Sequence, residues 1–143
     1  MPIAVRSAVS LGTMAELELT ARWEGGYRMA VDVRGFELRS DEPGPAGGEN
    51  TGPMPTELFL ASLATCFGSS VVHAARKRGI ELPDVAVRVI GTYQGLRFAR
   101  LRVEVTSSYP AELLQPLIER ASSYCYVSNT LRGSPEIEYV IAP

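Results

Sequence analysis

Hydrophobic and polar positions alternate over residues 14–23, with Leu17, Leu19, Ala21 and Trp23 on one face and Glu16, Glu18, Thr20 and Arg22 on the other. A repeat of two predicts a strand with one buried and one wet side. Gly25-Gly26 marks a turn, after which Tyr27, Met29, Val31 and Val33 alternate against Arg28, Asp32 and Arg34. Gly35 closes this second strand, and a third, short one is expected from Phe36 to Ser40. Residues 41–55 are rich in Pro and Gly and predict a loop. From Thr56 to Arg78 the pattern changes. Leu58, Phe59, Leu60, Leu63, Ala64, Phe67, Val71, Val72 and Ala75 leave almost no polar face before Arg76-Lys77-Arg78. With Pro55 near its first turn and Gly79 just past its end, this stretch predicts one long buried helix. Its basic last turn suits the negative end of the helix dipole.

Two more strands follow, one through Val85, Val87 and Val89, the other with Leu101, Val103 and Val105 opposed by Arg100, Arg102, Glu104 and Thr106. Residues 110–124 carry a helical stripe of Leu113, Leu114, Leu117, Ile118 and Ala121. Pro116 lies inside it and predicts a kink or a restarted helix. Glu136 to Ile141 is expected as a closing strand with Ile137, Tyr139 and Ile141 facing in. The order βββ-α-ββ-α-β predicts an α+β fold, a single domain over 1–143. A chain of this size cannot easily bury a helix on every side, so a covering second chain, a homodimer, is expected.

Composition narrows the function classes. A hydrophobic content of 45% allows one real core, and a net charge of -2 leaves no basic footprint for nucleic acid. Lys77 is the only lysine among 14 basic residues, and the arginines are scattered rather than gathered into a patch. No apolar run approaches the ~18 residues that span a bilayer, so no membrane partner is expected. Met1 to Leu19 does not read as a signal peptide, which predicts a reducing cytoplasmic location. Two cysteines far apart in sequence do not read there as a structural staple. The loop 41–55 has neither a Gly-Lys-Ser/Thr nor a GxGxxG signature, which argues against phosphate binding.

The candidate chemistry centres on Cys66, in the run Ala64-Thr65-Cys66-Phe67-Gly68-Ser69-Ser70. It lies ten residues past the expected helix start, where the dipole no longer acidifies a thiol. Ser62, Ser69 and Ser70 are its helix neighbours, and none is a base. His73, the only histidine, is on the same face but roughly 10 Å further along, too far for a direct dyad. An activating charge must come from another element or another chain, and an arginine suits that role. Glu57 is on the opposite face of the helix, where it can serve the helix start or hold an arginine from a neighbouring strand. His73 has no Cys, Asp or Glu at ligand spacing, so no metal is expected, and no GxSxG nucleophile elbow is present. Taken alone, a cysteine among apolar residues reads as packing.

Two motifs change that balance. Gly52-Pro53-Met54-Pro55-Thr56-Glu57-Leu58-Phe59-Leu60-Ala61-Ser62-Leu63-Ala64-Thr65-Cys66 resembles the central helix of the OsmC/Ohr family of thiol-dependent peroxidases. Tyr124-Cys125-Tyr126-Val127-Ser128-Asn129-Thr130-Leu131 resembles the segment that carries that family's second cysteine. The resemblance implies an interlocked homodimer that needs no metal or organic cofactor. It implies that Cys66 attacks an organic hydroperoxide as thiolate and becomes a sulfenic acid, that Cys125 condenses with it to a disulfide, and that an external dithiol reduces the pair. It also implies an activating arginine paired with an acid. Arg28 is the candidate arginine, with Arg22 and Arg34 as alternatives. The family's acid stands ten residues before the first cysteine; here that position is Thr56, and the acid appears one residue later as Glu57. A competing reading keeps the scaffold without the peroxidase, as a binder of a small apolar ligand or a slow thiol sensor.

Overall fold

The computed structural model describes residues 5–9 and 13–143. They form seven strands and three α-helices in the order β1 (Val5–Val9), β2 (Thr13–Leu17), β3 (Ala21–Trp23), β4 (Met29–Val33), β5 (Phe36–Ser40), α1 (Pro55–Lys77), β6 (Ala86–Gln94), β7 (Arg97–Thr106), α2 (Ala111–Tyr124) and α3 (Tyr126–Gly133). All ladders are antiparallel. The mixed α+β class agrees with the sequence reading, although the element order differs. The chain falls into two compact units, 1–55 with 137–143, and 56–136.

In the first unit, β1 pairs with β2, and β3, β4 and β5 form a second sheet in that order. The single strand expected over 14–23 is therefore two strands in two sheets, interrupted at residues 18–20. Alternation reports extended backbone; it does not report which partner each half will find. The three-stranded sheet has simple hairpin logic. Between β4 and β5, Arg34 and Gly35 both take positive φ, and the Asp32 carboxylate accepts the Gly35 amide at 2.9 Å. The expected closing strand at 136–141 does not form: residues 134–143 have no regular structure, and Ile137, Tyr139 and Ile141 are exposed.

The loop after β5 is organised around one carboxylate. Asp41 is buried and accepts the amides of Glu42 (2.8 Å), Glu49 (3.2 Å) and Thr51 (3.0 Å), together with the Thr51 hydroxyl (2.7 Å). Those bonds, the Thr51 hydroxyl first, lower its pKa from 3.8 to about 2. A carboxylate with a depressed folded pKa stabilises the fold fully above its unfolded value, and that contribution is lost as pH falls through the folded one. The urea midpoint of the wild type should therefore drop between about pH 4 and about pH 2, and that of Asp41→Asn should drop less. Asp84, held below its ordinary range by the Ser108 hydroxyl and amide, is common to both proteins and cancels in the comparison. Equal slopes would refute the assignment.

The second unit holds the main core. Leu63, Phe67, Val71 and Ala74 recur at helical spacing along α1 and are buried with Leu114, Leu117 and Ala121 of α2. The β6–β7 ribbon supplies Val87, Val89, Leu101, Val103 and Val105 to the same core. Its register sets Val87 opposite Val105 and Val89 opposite Val103, while Arg88 faces Glu104 on the wet side, 3.3 Å apart. The helix α1 ends as its sequence dictates. Gly79 is left-handed, the Ile80 amide reaches back to the Ala75 carbonyl (2.9 Å), and the Gly79 amide to Arg76 (3.0 Å).

Three further expectations need correction here. The second helix runs through Pro116 without a break, because only one internal bond is lost, near its exposed first turn. The segment after Cys125 forms a third helix, which the expected element order lacked. The helix α1 is also long and apolar enough to cross a membrane, with a mean hydropathy of 1.6 over 18 residues, contrary to the reading that no stretch approaches that length. Its serines and threonines hide that average from a search for unbroken apolar runs, and three of them bond a carbonyl of their own helix, Ser62 to Phe59 (2.7 Å), Thr65 to Ala61 (2.8 Å) and Ser70 to Cys66 (2.8 Å). One face of this helix is spent on the core just described.

Candidate active site

Cys66 sits on the fourth turn of α1, one position before the buried Phe67, and is half-buried. Cys125 is the junction residue between α2 and α3. It ends the first helix, with its amide bonded to the Ala121 carbonyl (3.1 Å), and begins the second as its N-cap. The side chain is completely buried. Its sulfur accepts the Ser128 amide at 3.5 Å, so a thiol fills the place that a Ser or Asp side chain takes in most helix caps. This is why the segment after Cys125 is helical although no ordinary capping residue announces it.

The two thiols lie near enough to shift each other's ionisation, and their surroundings treat them differently. Burial is the largest influence on Cys66 and raises its pKa; the Val127 and Tyr126 amides oppose this, while the bond and charge of Cys125 add to it. Burial also pushes the Cys125 thiol up, but the Ser128 hydroxyl and amide, the bond from Cys66 and the Val127 amide outweigh it and lower the pKa. Cys125 is therefore the sulfur better placed to carry negative charge. The positive end of α3 faces the pair, and Cys125 is the sulfur built into its cap.

An open groove of about 580 Å³ gives access to Cys66, lined also by Ser70, His73, Tyr124, Tyr126 and Asn129. The His73 ring meets Tyr124 edge-on, with centroids 5.0 Å apart, and Lys77 lies 5.7 Å from the centre of the same tyrosine. Of these lining residues the sequence singled out Ser70 and His73, while Tyr124, Tyr126 and Asn129 were named only as part of the second cysteine's motif. Recognising α3 would have found Tyr126 and Asn129, since Gly133 and the helical spacing of Val127 and Leu131 were legible.

The remaining candidates lie elsewhere. Arg28 belongs to the first unit, where it pairs with the Glu49 carboxylate and donates to the Glu24 carbonyl at 2.8 Å. Arg34 lies over the Phe36 ring, 5.6 Å from its centre, and Arg22 is exposed on β3. Glu57 is exposed in the first turn of α1, where an acid favours the helix dipole. Thr56, which replaces the expected acid, shares a hydrogen bond with the Tyr93 hydroxyl (3.1 Å). Among the described residues, no three His, Cys, Asp or Glu side chains gather as a metal site would require.

Comparison with known proteins decides the family. The sequence model of the OsmC-like protein family matches residues 48–140, a span that contains both cysteines. The chain belongs to the OsmC-like family. It is 32% identical over 107 residues to the organic hydroperoxide resistance protein of Xanthomonas axonopodis pv. citri, covering 71% of this chain and 73% of that one. Among solved structures, an organic hydroperoxide resistance protein from Legionella pneumophila superposes with a TM-score of 0.58 at 26% identity, over 80% of this chain and 89% of the other. The organic hydroperoxide resistance protein of Elizabethkingia anophelis gives 0.60 at 27% identity, over 80% and 88%. OsmC-like chains of this kind share the mixed α+β fold with small antiparallel sheets seen here.

Proposed function

We propose that this OsmC-like chain is a thiol peroxidase that reduces organic hydroperoxides and is itself restored by an external dithiol. The observation that carries the reading is the nearness of two free thiols, one facing a groove and the other buried behind it. Relatives named for organic hydroperoxide resistance support the substrate class. In the proposed cycle Cys66 gives up its proton, its thiolate attacks the peroxide, and the O–O bond breaks. The products are a Cys66 sulfenic acid and an alcohol, the leaving alkoxide taking up a proton. Cys125 then displaces the sulfenic oxygen as water, forming the Cys66–Cys125 disulfide, and a dithiol returns two electrons.

Arg28 and Glu57 complete the proposal as activating cation and paired acid. Arg28 is held by Glu49, so serving Cys66 requires it to exchange that carboxylate. A homodimer in a reducing, cytoplasmic setting belongs to the same reading, supported by the exposure of Trp23, Phe36 and Leu96. Reduced protein should consume one equivalent of cumene hydroperoxide and lose both free thiols together. Thiols that persist under excess peroxide would sink the reading. The raised pKa of Cys66 favours a second one, a slow thiol sensor on the same scaffold. The rate of that single turnover separates the two.

A further inference from the structure

The disulfide that Cys66 and Cys125 would form has two chemically unequal ends. Attack on a disulfide requires access to one sulfur and departure of the other as thiolate, and it is fastest when the departing thiolate is the better stabilised. Cys125 is completely buried, whereas Cys66 is half-buried and opens onto the 580 Å³ groove. Behind Cys66, the Cys125 sulfur already occupies the N-cap of α3, within 3.5 Å of the Ser128 amide. A negative charge that arrives on Cys125 thus meets a waiting donor and the positive end of a helix. A charge arriving on Cys66 would be influenced by the Val127 and Tyr126 amides, but that sulfur lies outside the cap and eleven residues beyond the start of its own helix.

We infer that reduction of the disulfide has a fixed polarity: the reducing thiol attacks the Cys66 sulfur from the groove, and Cys125 departs as the thiolate. This rests on the proposed pairing of the two cysteines but not on peroxidase activity. In the first step a bond forms between the reductant sulfur and Cys66 Sγ. The Cys66–Cys125 bond breaks, and its electron pair leaves on Cys125 Sγ. In the second step the other thiol of a dithiol, or a second monothiol, attacks the reductant sulfur of the mixed disulfide. It releases Cys66 as thiolate, which takes up a proton. The reductant leaves as a disulfide, and once the Cys125 thiolate has also taken up a proton the protein has gained two electrons and two protons. The groove is thus the docking site of the reductant as well as the entry to Cys66.

The test uses full-length protein oxidised with diamide, which closes a disulfide without any peroxide chemistry. A brief pulse of glutathione is stopped with acid, free thiols are capped with N-ethylmaleimide, and tryptic peptides are weighed. Trypsin places Cys66 in the peptide 40–76 and Cys125 in 121–132. Glutathione should be found on 40–76 at least ~10-fold more often than on 121–132, with the maleimide on the latter. An even split, or glutathione mainly on 121–132, overturns the inference. So does a failure of diamide to link the two cysteines. A protein that is inert to peroxide yet shows the expected partition would refute the peroxidase and leave the polarity standing.

Discussion

Cys66→Ser should lose peroxide consumption by at least ~100-fold, because the attacking species is a thiolate and a serine hydroxyl does not ionise near neutral pH. Cys125 cannot take over, since its sulfur is completely buried and the groove opens on Cys66. Cys125→Ser should behave differently. It should still accept the first equivalent of peroxide, stop at the sulfenic acid, and pass to sulfinic acid when more peroxide is added. Loss of Cys125 also removes a neighbour whose bond and charge hold the Cys66 pKa up, so this first equivalent should be consumed no more slowly than by the wild type. Stopped-flow loss of cumene hydroperoxide, with the mass of the intact protein after each equivalent, reads all three behaviours. A Cys66→Ser protein that still turns over would reverse the assigned roles.

The second large effect is on stability. Leu117 is completely buried, in a cluster with Val71 of α1 and Cys125. Leu117→Ala should cost about 2–5 kcal/mol, from lost apolar transfer and the cavity left behind. Set against the ~5–15 kcal/mol of a typical domain, that is a large share of the total. Leu117→Met, which keeps the volume, should cost less than about 1.5 kcal/mol. Urea unfolding of the three proteins checks the order, and an Ala variant as stable as the Met variant would contradict it. The same change should blunt the chemistry, because α2 is the element that delivers Cys125 to Cys66.

Both effects concern residues that the sequence pointed to, but for unequal reasons. The helix α1 was legible within one residue at each end, because its apolar run, Pro55 and Gly79 all agree. The β6–β7 ribbon and the β4–β5 hairpin were legible from alternation and turn glycines. What the pattern could not supply was pairing. Residues 14–23 alternate without a break, yet they serve two different sheets, and β1 was not recognised at all. The alternation of Ile137, Tyr139 and Ile141 reports a face that wants cover, and a face is not a strand.

At the site, the pairing of the two cysteines came from the family motifs, since nothing local to Cys66 marks it as reactive. The order of their acidities was not legible, because it depends on a cap in which sulfur replaces oxygen. Capping rules look for Ser, Thr, Asp or Asn, and the run Tyr124-Cys125-Tyr126 offers none. Thr56 was legible as a departure from the family, but its bond to Tyr93, 37 positions away, was not.

The loop from Asp41 to Thr51 has one more consequence. Four donors converge on a single carboxylate, and backbone bonds inside the loop, such as Gly48 to Pro43 (3.2 Å) and Asn50 to Glu42 (3.0 Å), tie the residues between. Closure is then an all-or-none event, more like a latch than a zipper. The positions to watch when this chain diverges are therefore the two posts, Asp41 and Thr51, together with Gly48, where a Cβ would collide with the Glu42 carbonyl.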